Sequence, residues 1–370
     1  MAKRMAKQSS DNSQFEDIYS DSSHKVNKKH YGKPKRFFVL KKIGLMLLSI
    51  IFTLSGAMMI YYYKTLDVVN FIPLNFDVPS STSSAGSLNP IHSTNSDNLL
   101  NDPMILNVML FGSDRRSTDE YGRSDTMIML SIDNRTKTLK MTSFLRDMWV
   151  EIPGYGSDRL NAAYSFGGPS LAILTLESNF GIRIDRYAVV DFTSFKNIVD
   201  ILGGIDIELS DFEIDYINWQ LYKNNQADTR YEIDAEAGIV HLNGQQALWH
   251  ARNRDSLGSD FDRTDRQRQV LNVIINEVKQ CSFSQLIDIV SEIGPKITTN
   301  FKKSEITTLV SNALTYLKYD VEQYKLPAPE NYYGAIIEEK DVLVVSDWDE
   351  ARLELAKFVF GESVAVKQPE

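Results

Sequence analysis

The feature that most constrains this chain is the run IGLMLLSIIFTLSGAMMIYYY at residues 43–63, which holds 21 residues and no charge. At about 1.5 Å per helical residue it spans roughly 31 Å, the thickness of a bilayer's hydrocarbon core. Tyr61, Tyr62 and Tyr63 close it with aromatic rings of the kind that favour a lipid–water interface. A buried core helix seldom runs so far without a charge. A cleaved signal peptide has a shorter apolar region and a short basic leader. Here the leader exceeds 35 residues and no clear cleavage site follows the run. The run therefore reads as a retained signal-anchor, a single N-terminal transmembrane helix. Residues 25–42 carry eight Lys or Arg and no acid, whereas the other flank offers Lys64 and then Asp67. The positive-inside rule leaves residues 1–42 in the cytoplasm and puts 64–370 outside the cell membrane.

Charge sharpens this division. The net charge of −9 splits into about +7 over residues 1–63 (11 Lys/Arg against 4 Asp/Glu) and −16 over the rest (29 against 45). A nucleic-acid-binding domain presents a broad basic face, so an acidic, exported part argues against nucleic acid as a partner. Cys281 is the only cysteine, which excludes an internal disulfide. Residues 1–35 are rich in Ser, Asp, Asn and Lys, and 1–42 reads as a mostly disordered tail. Residues 79–101 are rich in Ser, Asn and Pro, which makes 64–102 an extracellular spacer. The folded domain is expected over 103–361, with 362–370 as a C-terminal tail.

Within that domain strands and helices alternate. ILNVMLFG (105–112), DTMIMLSID (125–133) and TLKMTSFL (138–145) read as strands, the last two joined by a hairpin turn at NRTK. Residues 159–181 read as two helical pieces broken at Gly167-Gly168-Pro169. A strand at 187–192, an amphipathic helix at 193–204 and a strand at 205–209 follow. Residues 210–240 look polar and irregular, a surface excursion. Helices are expected at 245–254, 261–280, 284–293, 303–318 and 349–361, with a late strand at 341–346. This mixed order predicts a layered α/β domain.

Three charged clusters stand at strand ends or a helix start. GSDRRSTDEYGRSDT supplies Asp114 after one strand and Asp125 at the opening of the next. If those strands are neighbours, two carboxylates share a cleft and suit Mg²⁺, which takes one or two carboxylates plus phosphate and water. The alternative is a solvated acidic loop. FLRDMWV places Arg146 and Asp147 just past a strand, either at a site or as a structural ion pair. The richest cluster is HARNRDSLGSDFDRTDRQRQV (250–270), with five arginines. Arg263, Arg266, Gln267 and Val270 share a helical face, and Arg252 and Arg254 lie just upstream. Guanidinium forks match phosphate oxygens and stay charged when desolvated. The interleaved Asp255, Asp260, Asp262 and Asp265 equally permit a salt-bridged surface helix. No GxxxxGK[ST], GxSxG, HExxH or CxxC pattern is present.

NVMLFGSD, GRSDTMIMLSID, FLRDMWVEIPGYGSDRLNAAYSFGG, VDFTSFKNIVDILGGIDIEL, LNGQQALWHARNR and SDFDRTDRQRQVL occur in that order. Together they resemble the LytR-CpsA-Psr family of membrane-anchored cell-wall proteins, from about 105 to 275 with a family-like tail to about 361. The pattern departs at Leu145, where the family often has Pro, and at Asp262, where it usually has Gly. The resemblance implies an α–β–α sandwich with an apolar pocket for a polyprenyl chain. It implies a Mg²⁺-dependent phosphotransferase, with Mn²⁺ as an alternative ion. Such an enzyme moves a glycopolymer, such as teichoic acid or capsular polysaccharide, from undecaprenyl diphosphate onto peptidoglycan. Family metal positions fall on Asp114 and Asp125. Diphosphate positions fall on Arg123, Arg146, Arg252, Arg254, Arg263 and Gln267. Asp260 is the candidate general base, and Arg146 and Arg254 are the arginines expected to act in catalysis. The partners implied are the lipid-linked polymer, peptidoglycan and the bilayer, in a Gram-positive-type envelope. Rival readings are a lipid-diphosphate hydrolase and a non-catalytic envelope regulator or scaffold.

Overall fold

The apolar alternation of the three central strands builds a mixed sheet. In a computed structural model that describes residues 70–74, 99–113, 122–224, 232–253 and 260–362, with only the backbone of 260–264 and 283, β2 (Ile105–Ser113), β3 (Ser124–Asp133) and β4 (Thr138–Phe144) form an antiparallel meander. The β3–β4 turn is the expected one, and Lys137 takes its left-handed position at φ 59°. β7 (Arg186–Asp191) pairs parallel to β2, and β11 (Asp320–Leu326) pairs parallel to β4. Beyond β7 lie β10 (Thr298–Thr299) and β1 (Asn70–Phe71), giving a seven-stranded order β1-β10-β7-β2-β3-β4-β11.

The period of two sorts the side chains. Met109, Phe111, Met127, Met129 and Phe144 pack on one face against α1 (Leu160–Phe180) and α8 (Trp348–Phe360). On the other face Leu106, Leu130, Ile132, Leu139 and Val321 meet Leu309 and Tyr316 of α7 (Lys303–Tyr316). Further along that face, Leu110 and Ile128 look towards α2 (Phe192–Ile201), α4 (Gly244–Arg252) and α5 (Asp260–Gln280). Helices therefore cover both faces of a mixed sheet. α1 consists of two helical pieces that meet at the expected break: Gly167 and Gly168 leave helical geometry there, and Gly168 sits at φ 63°, where a side chain would be strained.

Two expectations are corrected. Residues 210–240 are not an irregular excursion. α3 (Asp211–Lys223) occupies the first half, opened by a capping box between Ser210 and Glu213. Its Ile214, Ile217 and Leu221 are buried with the hairpin of β8 (Ile205–Leu209) and β9 (Gly238–Leu242) in a second core. The folded unit also starts before Pro103. Residues 70–74, assigned by composition to the spacer, belong to the sheet and its core through β1 and Leu74. β5 (Trp149–Ile152) and β6 (Gly156–Arg159) form one small hairpin, and β12 (Tyr332–Ile337) and β13 (Lys340–Val345) another. Among the described residues no helix is long and apolar enough to cross a membrane. The 43–63 run and the tail at 1–42 lie outside them, as do residues 363–370.

Candidate active site

A cavity of about 680 Å³ opens between the ends of β2, β3 and β7 and the layer of α2, α3, α4 and α5. Helical spacing makes its walls apolar. Phe195 and Ile198 of α2 are three residues apart, and Val270, Leu271 and Ile274 of α5 occupy adjacent turns. Val190 and Ile128 complete the wall from the sheet. The helices can close over it because Gly244 lets α4 press on α2. A Cβ at Gly244 would stand 2.2 Å from the Lys196 carbonyl oxygen. The Gly244 N–H instead donates to Asp200 Oδ1 at 2.7 Å.

The remaining lining carries charge. Asp125, Asp191, Arg252 and Gln267 all contribute to the cavity wall. Arg146 approaches through Asp125, its Nη1 donating to Asp125 Oδ1 at 2.6 Å, while its Nε donates to Asp147 Oδ2 at 3.0 Å. Arg159 donates to the second oxygen of the buried Asp147 at 3.4 Å. With a guanidinium on each oxygen, Asp147 positions Arg146 rather than serving as an open proton acceptor. Arg252 is held differently. Its Cζ lies 4.5 Å from the Phe192 ring centroid and 5.0 Å from that of Trp249. Two such cation–π contacts set the position of the guanidinium at the cavity wall. Asp191 caps α2, accepting from the Ser194 N–H at 2.7 Å.

An apolar chamber with a charged rim is a general shape; sequence likeness decides between its meanings. The model of the LytR_cpsA_psr family matches residues 77–349. This chain belongs to that family. The polyisoprenyl-teichoic acid–peptidoglycan teichoic acid transferase TagU of Oceanobacillus iheyensis is 33% identical over 283 residues, which cover 73% of this chain and 79% of that protein. TagV of Bacillus subtilis, of the same named activity, is 34% identical over 227 residues, 60% of this chain and 56% of that protein. Among solved structures, TagT bound to LIIa-WTA superposes with a TM-score of 0.57 at 25% identity, covering 70% of this chain and 91% of that one. The family protein YwtF (TagT) with bound octaprenyl pyrophosphate lipid gives 0.53 at 25% identity, with the same coverage.

In this LytR_cpsA_psr protein the structure brings Asp125, Arg146, Arg252 and Gln267 to one place. Arg123 is exposed just before β3, two residues from Asp125, and does not line the cavity. Asp114 and Arg254 lie outside the described residues. β2 ends at Ser113, which is paired with Ser124, the residue before Asp125. Asp260 and Arg263 fall on the first turn of α5, where only the backbone is described. Oxygen donors of Asp125 and Asp191 match the chemistry a hard cation prefers. Among the described residues no cluster of three His, Cys, Asp or Glu forms a complete cage, so substrate oxygens would be needed to complete one.

The five arginines of the 250–270 stretch do not act together. Gln267 and Val270 face the cavity, but Arg266 turns to the second core. It donates to Glu213 Oε1 at 2.9 Å and to the Asn253 carbonyl at 3.2 Å. Arg268 is paired with Asp265. His250 is buried, its Nδ1 3.8 Å from Glu213 Oε1, and burial pushes its pKa below the usual imidazole range. These three residues belong to the scaffold. Phe192 and Trp249, the brackets of Arg252, were not singled out by sequence reasoning; their only signal was an aromatic residue beside each strand or helix end that carries a site residue.

Proposed function

We propose that this protein is a membrane-anchored, extracytoplasmic phosphotransferase that moves a glycopolymer from an undecaprenyl-diphosphate carrier onto peptidoglycan. One observation carries the reading: a chamber with apolar walls is lined on one side by Asp125, Arg252 and Gln267, with Arg146 bonded to Asp125. A lipid diphosphate has the matching division into tail and anion. The names of TagU and TagV and the lipid bound to YwtF support the same chemistry. The 43–63 run supports the anchor and the outward orientation.

Phosphoryl transfer asks the protein mainly for positioning and charge stabilisation. The chamber holds the lipid tail and so fixes the diphosphate at the rim. Arg252, clamped between its two rings, and Gln267 orient phosphate oxygens. Arg146, set by Asp147, stabilises the charge that develops as the bond to the lipid phosphate breaks. The acceptor hydroxyl oxygen forms the new bond to the sugar-linked phosphorus, the lipid monophosphate leaves, and the hydroxyl proton passes to a carboxylate, assigned here to Asp260. Mg²⁺ or Mn²⁺, held by Asp125 with Asp114, would neutralise phosphate charge when bound. Arg254 and Arg263 complete the anion site in this reading, and Arg123 at its exposed position reaches the outer phosphate.

The full-length protein, in vesicles with a synthetic polyprenyl-diphosphate-linked sugar and a peptidoglycan acceptor, tests this. A phospho-sugar adduct on the acceptor is expected, detected by mass spectrometry and lost in Arg254→Ala and Arg263→Ala. Full activity in both variants would contradict the assignment. Free sugar phosphate formed regardless of acceptor would replace the transferase with a hydrolase.

A further inference from the structure

Strand β1 lies very close in sequence to the apolar run. Tyr63 ends the run and Asn70 opens β1, so seven peptide steps separate them. An extended chain covers at most about 25 Å in that distance. β1 is firmly part of the sheet. Asn70 and Phe71 pair with Thr298 and Thr299. The Ile72 N–H donates to the Thr299 carbonyl at 2.9 Å, and the Tyr187 hydroxyl donates to the Ile72 carbonyl at 2.8 Å. It is also the outermost strand, and its side chains face out: Phe71 is 49% exposed and Ile72 44%. Exposed edge strands in water are commonly guarded by charge. Here Val68 to Leu74 contains no charged residue.

We infer that the β1 edge, with Phe71, Ile72 and Pro73, is the surface of the domain that rests on the lipid bilayer. This rests on the anchor reading above, since the bilayer is placed within reach by the 43–63 helix. The occupant is set by the length of chain outside the described residues and by where that chain ends. The geometry has a consequence for the substrate. At about 4.8 Å between strands, β7 lies about 10 Å and β3 about 19 Å from β1. These two strands carry Asp191 and Asp125 at the cavity rim. A lipid diphosphate then moves only a short way from its bilayer to the site. The Ser-rich stretch at 79–101 does not set the reach. Both Leu74, which packs on the main core, and Leu100, which is bridged to Ile182, are held by the domain, so the length of chain between them does not change the separation of β1 from the 43–63 run.

The test uses the full-length chain in vesicles, in a Cys281→Ser background, with a fluorophore on a single cysteine and nitroxide-labelled lipid as quencher. Phe71→Cys should lose most of its fluorescence. Ile336→Cys, 76% exposed on the β12–β13 hairpin, should keep it. Inserting about twenty Gly/Ser residues after Leu66 adds roughly 25 Å of mean reach and should relieve the quenching at position 71. The same insertion after Gly86 should leave it unchanged. An unquenched label at 71 on a chain that floats with vesicles would overturn the docking surface and leave the anchor standing. Equal effects of the two insertions would also overturn it. A chain that does not float with vesicles would remove the anchor, and the docking surface with it.

Discussion

Strand β3 carries an aspartate near each end, and the two ends do opposite work. Asp133 is fully buried at one end. Its oxygens take Arg135 Nε at 3.2 Å, Arg135 Nη2 at 3.1 Å and Lys140 Nζ at 3.5 Å. Those cations in turn donate to the Phe360 and Val359 carbonyls at the last turn of α8, where positive charge is favoured. Burial alone would raise the Asp133 pKa, but hydrogen bonds from the Arg135 side chain and from the N–H groups of Arg135 and Thr136 hold it well below the usual carboxylate range. Asp125, at the other end, also meets an arginine, yet it is partly exposed and faces a chamber. Both are Asp–Arg clusters at strand ends. What separates a scaffold from a site is whether the charge network closes on the protein or opens on a cavity.

Alanine at the two positions should divide cleanly. Asp125→Ala should lower transfer by about 10²–10³, the size of a lost preorganised charge contact, and change stability by less than about 1 kcal/mol, because its ion pair is partly exposed. Asp133→Ala should cost about 3 kcal/mol, chiefly by taking the carboxylate from the buried Lys140, since Arg135 keeps Asp102 as a partner, with transfer per folded molecule unchanged. Denaturant unfolding together with the vesicle assay reads both, and exchanged phenotypes would break the comparison. Arg266→Ala sharpens it, because sequence spacing puts Arg266 on the cavity face and the structure does not. It should cost about 1.5–3 kcal/mol through the lost bond to Glu213 and leave turnover per folded molecule intact; a large loss of turnover would return Arg266 to the site. For Arg252→Lys, loss of the planar contact with Phe192 and Trp249 should weaken transfer roughly ten-fold, about 1.4 kcal/mol. Equal activity would show that a point charge suffices there.

The last effect is confined to acid pH and concerns Asp133 again. Its folded pKa is depressed, so on acidification the unfolded chain takes up the proton first. The stabilisation is complete above the ordinary aspartate pKa of about 3.9 and is lost as pH falls through the folded value. Melting temperature differences between the wild type and Asp133→Asn should therefore be constant above about pH 5 and shrink below about pH 4. A difference that shrinks near neutrality would point to another group.

The central sheet was legible because β2, β3 and β4 carry dense apolar residues and a clear turn at NRTK. α3 was not, because Asp211, Glu213 and Asp215 interrupt an apolar stripe of only a few buried residues. β1 and β10, of two residues each, have no local signal; they exist through tertiary pairing. β11 was missed because it is an edge strand with Leu326 as its one fully buried residue. At the site, Asp125 and Arg146 stand at strand ends, and such positions can be read from pattern. Gln267 and Arg266 are neighbours on α5, and a period of 3.6 cannot choose between them when the helix is packed on two sides. The bracket around Arg252 joins residues from α2 and α4, and no spacing rule brings those together.

The central claim is that the chamber enclosed by the sheet, α2, α4, α5 and the inner face of α3 receives a lipid tail. Its most direct test is photo-crosslinking of the full-length protein with a polyprenyl diphosphate that carries a diazirine in the tail, followed by peptide mapping. The account predicts adducts on Phe195, Ile198, Leu271 and Ile274, competed by unlabelled lipid diphosphate. Adducts on the exposed face of α3, at Trp219 and Tyr222, with the chamber unlabelled, would contradict it.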